Sequence, residues 1–218
     1  MSSDSDVAEL RALARACEFE TPWSWYVHYQ CGSVNYAASY IKVGEFRTVY
    51  EFWALFHSLP SVRAVHRGGL RVKDQRVVAY SLFRSHVKPE WEDPINNAGS
   101  EWGCRETLDE DLFADLWRDY VLGAIGEKIP HAVGVRAINK SNRQRLIHKI
   151  EVWMDCTDTK RTQECRRHLS SLNPSTPRFV HMMHQEKQTQ AIEYNQRRGA
   201  SNGKKRHDIA AGDDADGQ

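Results

Sequence analysis

The order of helix-like and strand-like segments constrains the fold of this chain more than any other sequence feature. Three segments have apolar residues at helical spacing, and short runs rich in β-branched and aromatic residues separate them. These helical segments are 47–59, 108–129 and 159–172. Thr48 with Glu51, and Thr107 with Glu110, have the spacing of capping boxes, so they predict where the first two helices begin.

The strand-like runs predict an antiparallel sheet. They lie at 23–30, 35–43, 77–83, 131–138, 146–155 and 178–183, with a further short run from Trp102. The predicted order is hairpin, helix, hairpin, helix, hairpin, helix and strand. Short turns favour antiparallel pairing, and helices with one apolar stripe cover one face of such a sheet. The sequence therefore predicts an α+β fold: a curved antiparallel sheet of about seven to eight strands, with helices on the convex face and a concave face open to a ligand. We expect the three predicted helices to form that convex layer.

The two ends of the chain are more polar than its middle. This predicts a flexible N-terminal tail over residues 1–20, one folded domain over 21–184 and a disordered C-terminal tail over 185–218.

Composition argues against several classes of protein. The formal net charge of +1 indicates no particular partner by itself. Five cysteines without a Cys-x-x-Cys pair favour free thiols in a reducing compartment. His181 and His184 are weak evidence for a metal, so none is predicted, and no cofactor is implied. The acidic N-terminus is unlike a signal peptide, and no stretch approaches membrane-spanning length, which predicts a cytoplasmic protein without a membrane partner.

A loop tryptophan followed by two carboxylates is the feature most suggestive of a ligand site. Trp91, Glu92 and Asp93 lie between Pro89 and Pro94, and prolines of this kind are typical of loops. A tryptophan in a loop often packs as a lid on the core, and that interpretation stays open here. The other interpretation is that the indole face and the adjacent carboxylate bind one flat molecule.

The chemistry of such a pair narrows the ligand. An indole face attracts a flat cation, with about 0.5–2 kcal/mol of stabilisation. A carboxylate accepts hydrogen bonds from two adjacent N–H groups, as guanine presents on N1 and N2. Methylation at N7 supplies the positive charge, and attached phosphates need basic residues, several of which lie in 135–149. The combination fits a 7-methylguanosine triphosphate better than a sugar or a neutral base.

Several motifs together resemble one known family. They lie at 46–56, 80–93, 115–127, 133–137 and 149–153. In this order they resemble the motifs of the translation initiation factor 4E family, whose members bind the 5′ cap of messenger RNA. The resemblance covers about residues 21–184 and is that of a divergent member, similar to trypanosomatid forms.

The resemblance implies a cap slot on the concave side of the sheet. The implied ligand-binding residues are Tyr36, Trp91, Glu92, Arg136, Lys149 and Trp153. In the family two aromatic rings sandwich the methylated base; here Trp91 is one, and Tyr36 stands where a tryptophan is usual. Glu92 accepts the guanine N–H groups, and Trp153 contacts the N7 methyl group. Arg136 and Lys149 hold the phosphates.

Two further features modify this expectation. Glu101 replaces a residue that is often basic in relatives, so one phosphate contact is expected to be missing. The segment before Trp153 is long and carries Lys140, Arg143 and Arg145. We interpret these either as additional RNA phosphate contacts or as a solvated basic loop.

The resemblance also implies a partner surface on the convex face. The matching residues are Val49, Trp53, Asp119, Leu122 and Gly126. The implied partner is a 4G-type scaffold or a 4E-binding protein that lays a short helix across this face, while the chain alone is expected to be monomeric.

Three readings of function compete. The first is a non-enzymatic cap-binding protein in translation initiation, or a translational repressor or mRNA-storage member of the same family. A carbohydrate-binding β-module is the second, but a neutral sugar gives Arg136 and Lys149 no role. A cap-hydrolysing enzyme needs a cluster of acids for a metal, or a nucleophile with a base, and the sequence offers neither.

Overall fold

A computed structural model of the chain describes residues 4–30, 39–175, 177–190 and 192–193. The helices are α1 (Asp4–Ala16), α2 (Val49–Ser58), α3 (Val62–Arg67), α4 (Pro94–Asn97), α5 (Glu110–Ile125), α6 (Thr159–Leu172) and α7 (residues 184–190). The strands are β1 (Glu18–Tyr29), β2 (Tyr40–Thr48), β3 (Arg71–Val72), β4 (Gln75–Arg84), β5 (Ser100–Glu106), β6 (Ala132–Asn139), β7 (His148–Met154) and β8 (Val180–Met183).

The strands form one antiparallel sheet, as predicted. Its order is β2-β1-β4-β6-β7-β5-β8, and the short β3 pairs with β4, which gives eight strands in all. The three long predicted helices are present as α2, α5 and α6. Two short helices, α3 and α4, lie outside the three segments predicted as helical, so the described residues contain more helices than predicted.

The second predicted hairpin is wrong. β4 and β5 are consecutive in the chain, yet β6 and β7 lie between them in the sheet. Their connection, residues 85–99, is long enough to cross the ends of both intervening strands. We call residues 85–99 the tryptophan loop, because they carry Trp91. This crossing places the loop at one end of the sheet's concave face.

Aromatic side chains join the sheet to the helices on its convex face. The ring of Trp25 on β1 lies 5.9 Å from Phe56 of α2 and 5.4 Å from Trp117 of α5, both edge to face. Such edge-to-face pairs add to the hydrophobic stabilisation from burial. Trp25 and Trp117 are buried, so this cluster fixes both helices on the sheet.

The two predicted helix starts have different outcomes. The Thr48–Glu51 capping box is present and begins α2. The second is wrong, because Asp109 caps α5 by accepting a hydrogen bond from the Leu112 amide at 2.8 Å. Thr107 instead donates its hydroxyl to a carbonyl in the loop before β7, and this places it outside the cap.

The ends of the described chain contain regular structure. Residues Asp4–Ala16 form α1, and its Arg15 guanidinium lies 4.5 Å from the ring centroid of Tyr50 on α2. Residues 184–190 are helical as well, where the sequence predicted disorder from residue 185. The predicted division into tails and one domain stays a prediction.

The described residues include four free cysteines and no helix suited to a membrane. Among the described residues, Cys17, Cys104, Cys156 and Cys165 are free thiols. No helix in the described part of the chain has the length and apolar character needed to span a membrane.

Candidate functional site

Strand register arranges the concave face in two rows. One row crosses β4, β6, β7 and β5 through Ser81, Arg136, Glu151 and Gly103. The next row runs through Phe83, Gly134, Trp153 and Glu101. Because side chains alternate along a strand, Lys149, Glu151 and Trp153 of β7 all point to this same face.

Trp153 is buried where these rows meet the tryptophan loop. Its side chain is only 1% exposed, and its Nε1–H donates to Glu151 Oε2 at 3.1 Å. The ring of Phe83 lies edge to face with it at 5.3 Å. Gly134 allows this approach, since a Cβ there would lie 2.3 Å from Phe83 Cε1.

Two buried or half-buried side chains hold the tryptophan loop in shape. Asp93 caps α4 through the Ile95 amide, at 3.0 Å, and accepts the Lys88 amide at 3.0 Å with its other oxygen. Asn96 is buried and donates to the carbonyls of Lys88, at 2.6 Å, and Glu90, at 2.8 Å. The loop is therefore preorganised by its own hydrogen bonds rather than by a ligand.

Trp91 and Glu92 occupy different environments on this loop. Trp91 is half-buried and packs against the small apolar cluster that includes Tyr26, Phe83 and Trp153. Glu92 is exposed. This arrangement combines both sequence interpretations, because Trp91 covers a cluster and still presents part of its surface.

Glu151 lies at the centre of the charged part of the slot. It accepts hydrogen bonds from Arg136 Nη1, at 3.2 Å, and from Lys149 Nζ. Burial raises the pKa of this carboxyl, but the positive charges of Lys149 and Arg136 outweigh burial and hold it well below its usual range. Burial lowers the pKa of the Lys149 ammonium, but the Glu151 and Glu101 carboxylates outweigh burial. The pKa of Lys149 is therefore raised above its usual value.

Glu101 extends this network to the C-terminal helix α7. Its Oε1 accepts from Lys149 Nζ at 3.2 Å and from Lys187 Nζ of α7. Lys187 Nζ is also 3.6 Å from Glu151 Oε1. Here the sequence expected a missing phosphate contact; the structure has a carboxylate that binds two cations.

Other side chains of α7 lie on the tryptophan loop and Trp153. The His184 ring centroid is 4.3 Å from that of Trp153, and its Nδ1 is 2.6 Å from the Asn96 carbonyl oxygen. Gln188 Nε2 donates to the Trp91 carbonyl at 2.9 Å. Helix α7 therefore covers the part of the slot that the resemblance assigns to the methyl group and phosphates.

The structure brings four of the six implied ligand-binding residues to one region: Trp91, Arg136, Lys149 and Trp153. Glu92 is on the same loop but points to solvent. Tyr36 falls outside the described residues. Tyr40 is the first residue of β2, and its hydroxyl donates a hydrogen bond to the carboxylate of Glu90, the residue before Trp91.

Comparison with known proteins gives the chain a family. The sequence model described as Eukaryotic initiation factor 4E matches residues 18–204. The chain belongs to this family. It is a family of translation initiation factors, in agreement with the prediction that the chain is not an enzyme.

The sequence identity between this chain and individual members of the initiation factor 4E family is low. The translation initiation factor 4E of Dictyostelium discoideum is 28% identical over 146 residues, which are 65% of this chain and 54% of that protein. Factor 4E-2 of Schizosaccharomyces pombe is 27% identical over 150 residues, 67% of this chain and 58% of that protein. The alignments thus span little more than half the length of these relatives.

Solved structures of 4E proteins share the fold. C. elegans eIF4E-3, in complex with the 4E-binding protein Mextli and a cap analog, has a TM-score of 0.65 at 20% identity and covers 79% of this chain and 95% of its own. A schistosome eIF4E complexed with m7GpppG and 4E-BP has a TM-score of 0.61 at 19% identity, with coverages of 76% and 87%. The α+β fold of the family is confirmed for this chain.

The basic loop of this 4E protein lies at the far end of the concave face from the tryptophan loop. Lys140 follows the last residue of β6 and is exposed. Arg145 lines a cavity of about 290 Å³ with Arg105. Arg143 is exposed. The three basic residues therefore lie at the end of the sheet away from the tryptophan loop.

The five implied partner-binding residues lie on α2 and α5. Val49 and Trp53 are on α2, Asp119 and Leu122 are on α5, and Gly126 is the C-cap of α5. Trp53 is 37% exposed and stacks on His57 at 5.5 Å. Asp119 is engaged, since it accepts hydrogen bonds from Arg118 and Asn173.

A possible metal-ligand group lies outside the slot. His131, Asp155 and Cys156 have ligand atoms within 4.8 Å of one another. Burial, and then the nearby Asp155 charge, raise the pKa of the Cys156 thiol, which disfavours the thiolate that a metal binds. The His131 ring pairs with Asp155 at 3.3 Å instead, so we assign no metal there.

Sequence reasoning missed three residues of the slot: Glu151, His184 and Lys187. The signal for Glu151 was present, because it alternates with Lys149 and Trp153 on one strand. Lys187 follows β8 in a polar segment without apolar periodicity, and His184 stood out only with His181 as weak evidence for a metal, not as part of this slot.

Proposed function

We propose that the chain binds the 7-methylguanosine 5′ cap of mRNA in the concave slot, and that it acts in translation initiation or its regulation. One observation carries the proposal: in a 4E-family chain, the tryptophan loop meets Arg136, Lys149 and Trp153 on one face of the sheet. An aromatic surface beside a basic patch is the chemistry that a methylated guanine with a triphosphate needs. We also propose a cytoplasmic location, where capped mRNA is translated.

The base is proposed to stack on Trp91. Glu92 is exposed on the next position of the same preorganised loop, and its carboxylate is proposed to accept the N1–H and N2–H of guanine. Tyr36 is proposed as the second ring of the sandwich. The hydrogen bond from Tyr40 to Glu90 supports this role, because it brings the chain that follows Tyr36 to the tryptophan loop.

The phosphates are proposed to bind Arg136 and Lys149. Both cations lie on the face below the tryptophan loop, with Arg136 5.2 Å from the Trp153 ring centroid. Lys140 is exposed directly after β6, the strand that carries Arg136. We propose Lys140, Arg143 and Arg145 as contacts for RNA phosphates beyond the cap, where the alternative is a solvated loop.

Relatives support the ligand class. The C. elegans and schistosome 4E proteins described above were solved with a cap analog and with m7GpppG.

Tryptophan fluorescence tests the cap proposal. Titration of the wild-type chain with 7-methyl-GTP is expected to quench emission saturably, and GTP is expected to bind at least about tenfold more weakly because it lacks the cationic ring. Trp91→Ala is expected to abolish the methyl-dependent quenching. Equal binding of both nucleotides, or unchanged binding by Trp91→Ala, would contradict the proposal.

Two further experiments address the alternatives of carbohydrate binding and translational repression. Competition by a neutral oligosaccharide would favour the carbohydrate-binding reading, which the family assignment does not support. Whether the chain promotes or represses translation is a separate assay, in which a capped reporter mRNA is translated in an extract with and without added protein.

We propose a helical partner motif for the convex face, from a 4G-type scaffold or a 4E-binding protein. The exposed indole of Trp53 supports this proposal, because exposed tryptophans often anchor interfaces. The structural neighbours were solved with Mextli and with 4E-BP. Binding of a labelled 4E-binding peptide to wild type and Trp53→Ala tests it, and equal affinities would contradict it.

A further inference from the structure

We propose that helix α7 competes with the cap for the slot, so that the ligand must displace α7 before its phosphates reach Arg136 and Lys149. The inference rests on the proposed cap-binding function and adds an occupant from the chain itself. Three groups of contacts carry it, at the phosphate, methyl and base ends of the slot.

At the phosphate end, Lys187 completes a closed set of ion pairs. Three cations, Arg136, Lys149 and Lys187, face two carboxylates, Glu101 and Glu151. Lys187 is the member that leaves when α7 undocks, because the other four are on strands of the sheet. A triphosphate that enters here replaces carboxylate oxygens with phosphate oxygens as partners of Arg136 and Lys149.

At the methyl end, His184 covers Trp153. The two rings are 4.3 Å apart, and the Trp153 side chain is 1% exposed. A methyl group cannot contact the Trp153 face while His184 occupies it, since both need the same van der Waals surface. His184 is also 3.6 Å from Glu101 Oε2, which ties the methyl and phosphate ends to one helix.

At the base end, α7 holds the tryptophan loop. Gln188 donates to the Trp91 carbonyl, and Gln185 Nε2 is 3.3 Å from Asn97 Oδ1. The first bond attaches α7 to the backbone of the residue proposed to stack on the base, and the second attaches it to a side chain at the end of the same loop. Docked α7 therefore restrains the loop at the point where the ligand enters.

The docking of α7 is suited to reversal. Isolated helices are marginal in water without tertiary contacts, so the helix that includes residues 184–190 depends on its contacts with the slot. Its contacts are mainly polar, and burial lowers the pKa of the Lys187 ammonium despite the two carboxylates beside it. Phosphate oxygens can therefore compete with α7, because both make ion pairs and hydrogen bonds with the charged groups of the slot.

A matched pair of substitutions at Thr189 tests the competition without changing the charge of the slot. Thr189 is exposed, and among the described residues its hydroxyl donates to the Gln185 carbonyl of the same helix, at 3.0 Å. Thr189→Pro removes a helical N–H donor and disfavours helix at the preceding residue. Thr189→Ala keeps the helix and is the control.

We expect Thr189→Pro to bind 7-methyl-GTP at least about threefold more tightly than wild type, because α7 is docked in the slot in a smaller fraction of the molecules. Thr189→Ala is expected to match wild type. Hydrogen exchange on the wild-type chain gives a second readout: amides of residues 184–190 are expected to lose protection when 7-methyl-GTP is added. Circular dichroism of each variant checks that the fold is retained.

The outcomes separate the two proposals. If wild type and Thr189→Pro bind equally, or Thr189→Pro binds more weakly, and the amides of 184–190 stay protected with ligand, the competition is overturned while cap binding stands. If Thr189→Pro binds 7-methyl-GTP at least about threefold more tightly than wild type and the amides of 184–190 lose protection with ligand, both proposals are supported. If no variant binds 7-methyl-GTP, the cap proposal fails first and the competition fails with it.

Discussion

The two faces of the sheet present their functional residues in opposite ways. On the convex face, Trp53 of α2 is partly exposed and packs beside His57 of the same helix. On the concave face, Arg136 and Lys149 are paired with carboxylates under α7. A partner can therefore meet the convex face as it stands, whereas a phosphate ligand must exchange contacts on the concave face.

Physical chemistry explains the difference. An exposed apolar ring costs little and gains free energy when a partner covers it. Buried cations are costly unless they are paired, so the slot keeps carboxylates beside its cations. The paired cations of the concave face are therefore stable, but they are not directly accessible to a phosphate ligand. This contrast between the two faces leads to four predictions.

The largest expected effect compares two neighbours on α2. Phe52 is 1% exposed and Trp53 is 37% exposed. Phe52→Ala is expected to lower the free energy of unfolding by about 3–5 kcal/mol, because it leaves a cavity in the core. Trp53→Ala is expected to lower it by less than about 1.5 kcal/mol. Urea denaturation measures both; equal losses would mean that Trp53 is a core residue and not a surface anchor.

The second prediction concerns the partner surface. Trp53→Ala is expected to weaken binding of a 4E-binding peptide by about 2 kcal/mol or more, as for an interface hot spot. Affinity for 7-methyl-GTP is expected to stay unchanged, since α2 is on the opposite face. Lys160→Ala, an exposed change on α6, is the control for calorimetric titration. A loss of nucleotide affinity would break the separation of the two faces.

The third prediction is a pH dependence that starts from the concave face. Burial, followed by the Arg136 charge, lowers the pKa of His28 well below its ordinary 6.5. Below pH 6.5 the unfolded chain binds a proton that the folded chain does not, so stability is full above this pH and falls as the pH drops. The slope from this residue is at most about 1.4 kcal/mol per pH unit.

His28→Gln is expected to reduce this slope between pH 6.5 and pH 5, measured by urea denaturation at each pH. His57→Gln, at an exposed position of α2, is expected to leave it unchanged. The same slope in wild type and His28→Gln would assign the acid sensitivity to other groups.

The smallest expected effect adjusts the charge of the slot. Glu101→Gln removes one carboxylate from Lys149 and Lys187, and is expected to raise affinity for 7-methyl-GTP by about threefold to tenfold. Glu106→Gln, an exposed change on the same strand, is the control. Added salt is expected to reduce the difference. Weaker binding by Glu101→Gln would show that this carboxylate positions the phosphate-binding lysine.

Local sequence signals predicted the regular elements well. The α6 segment has the limits predicted for it, 159–172, because Asp158 caps its start and Asn173 precedes a proline at its end. The α2 capping box follows from the Thr48 and Glu51 spacing alone. Such short-range patterns are readable because the interacting atoms are close in sequence.

Long-range arrangement was less readable. The position of β6 and β7 between β4 and β5 depends on how the tryptophan loop crosses the sheet, and no local pattern encodes that. The family resemblance supplied the candidate cations, but their pairing with Glu101 and Glu151 depends on strand register. The docking of α7 depends on Lys187 reaching across from another element, in a segment whose composition alone indicated disorder.

A crystal structure of the chain with 7-methyl-GTP tests the central claim most directly. The account predicts the methylated base stacked on Trp91, with its N–H groups on Glu92 and its phosphates on Arg136 and Lys149. Nucleotide bound elsewhere, or a slot in which Arg136 and Lys149 stay paired with the carboxylates at saturating ligand, would contradict it.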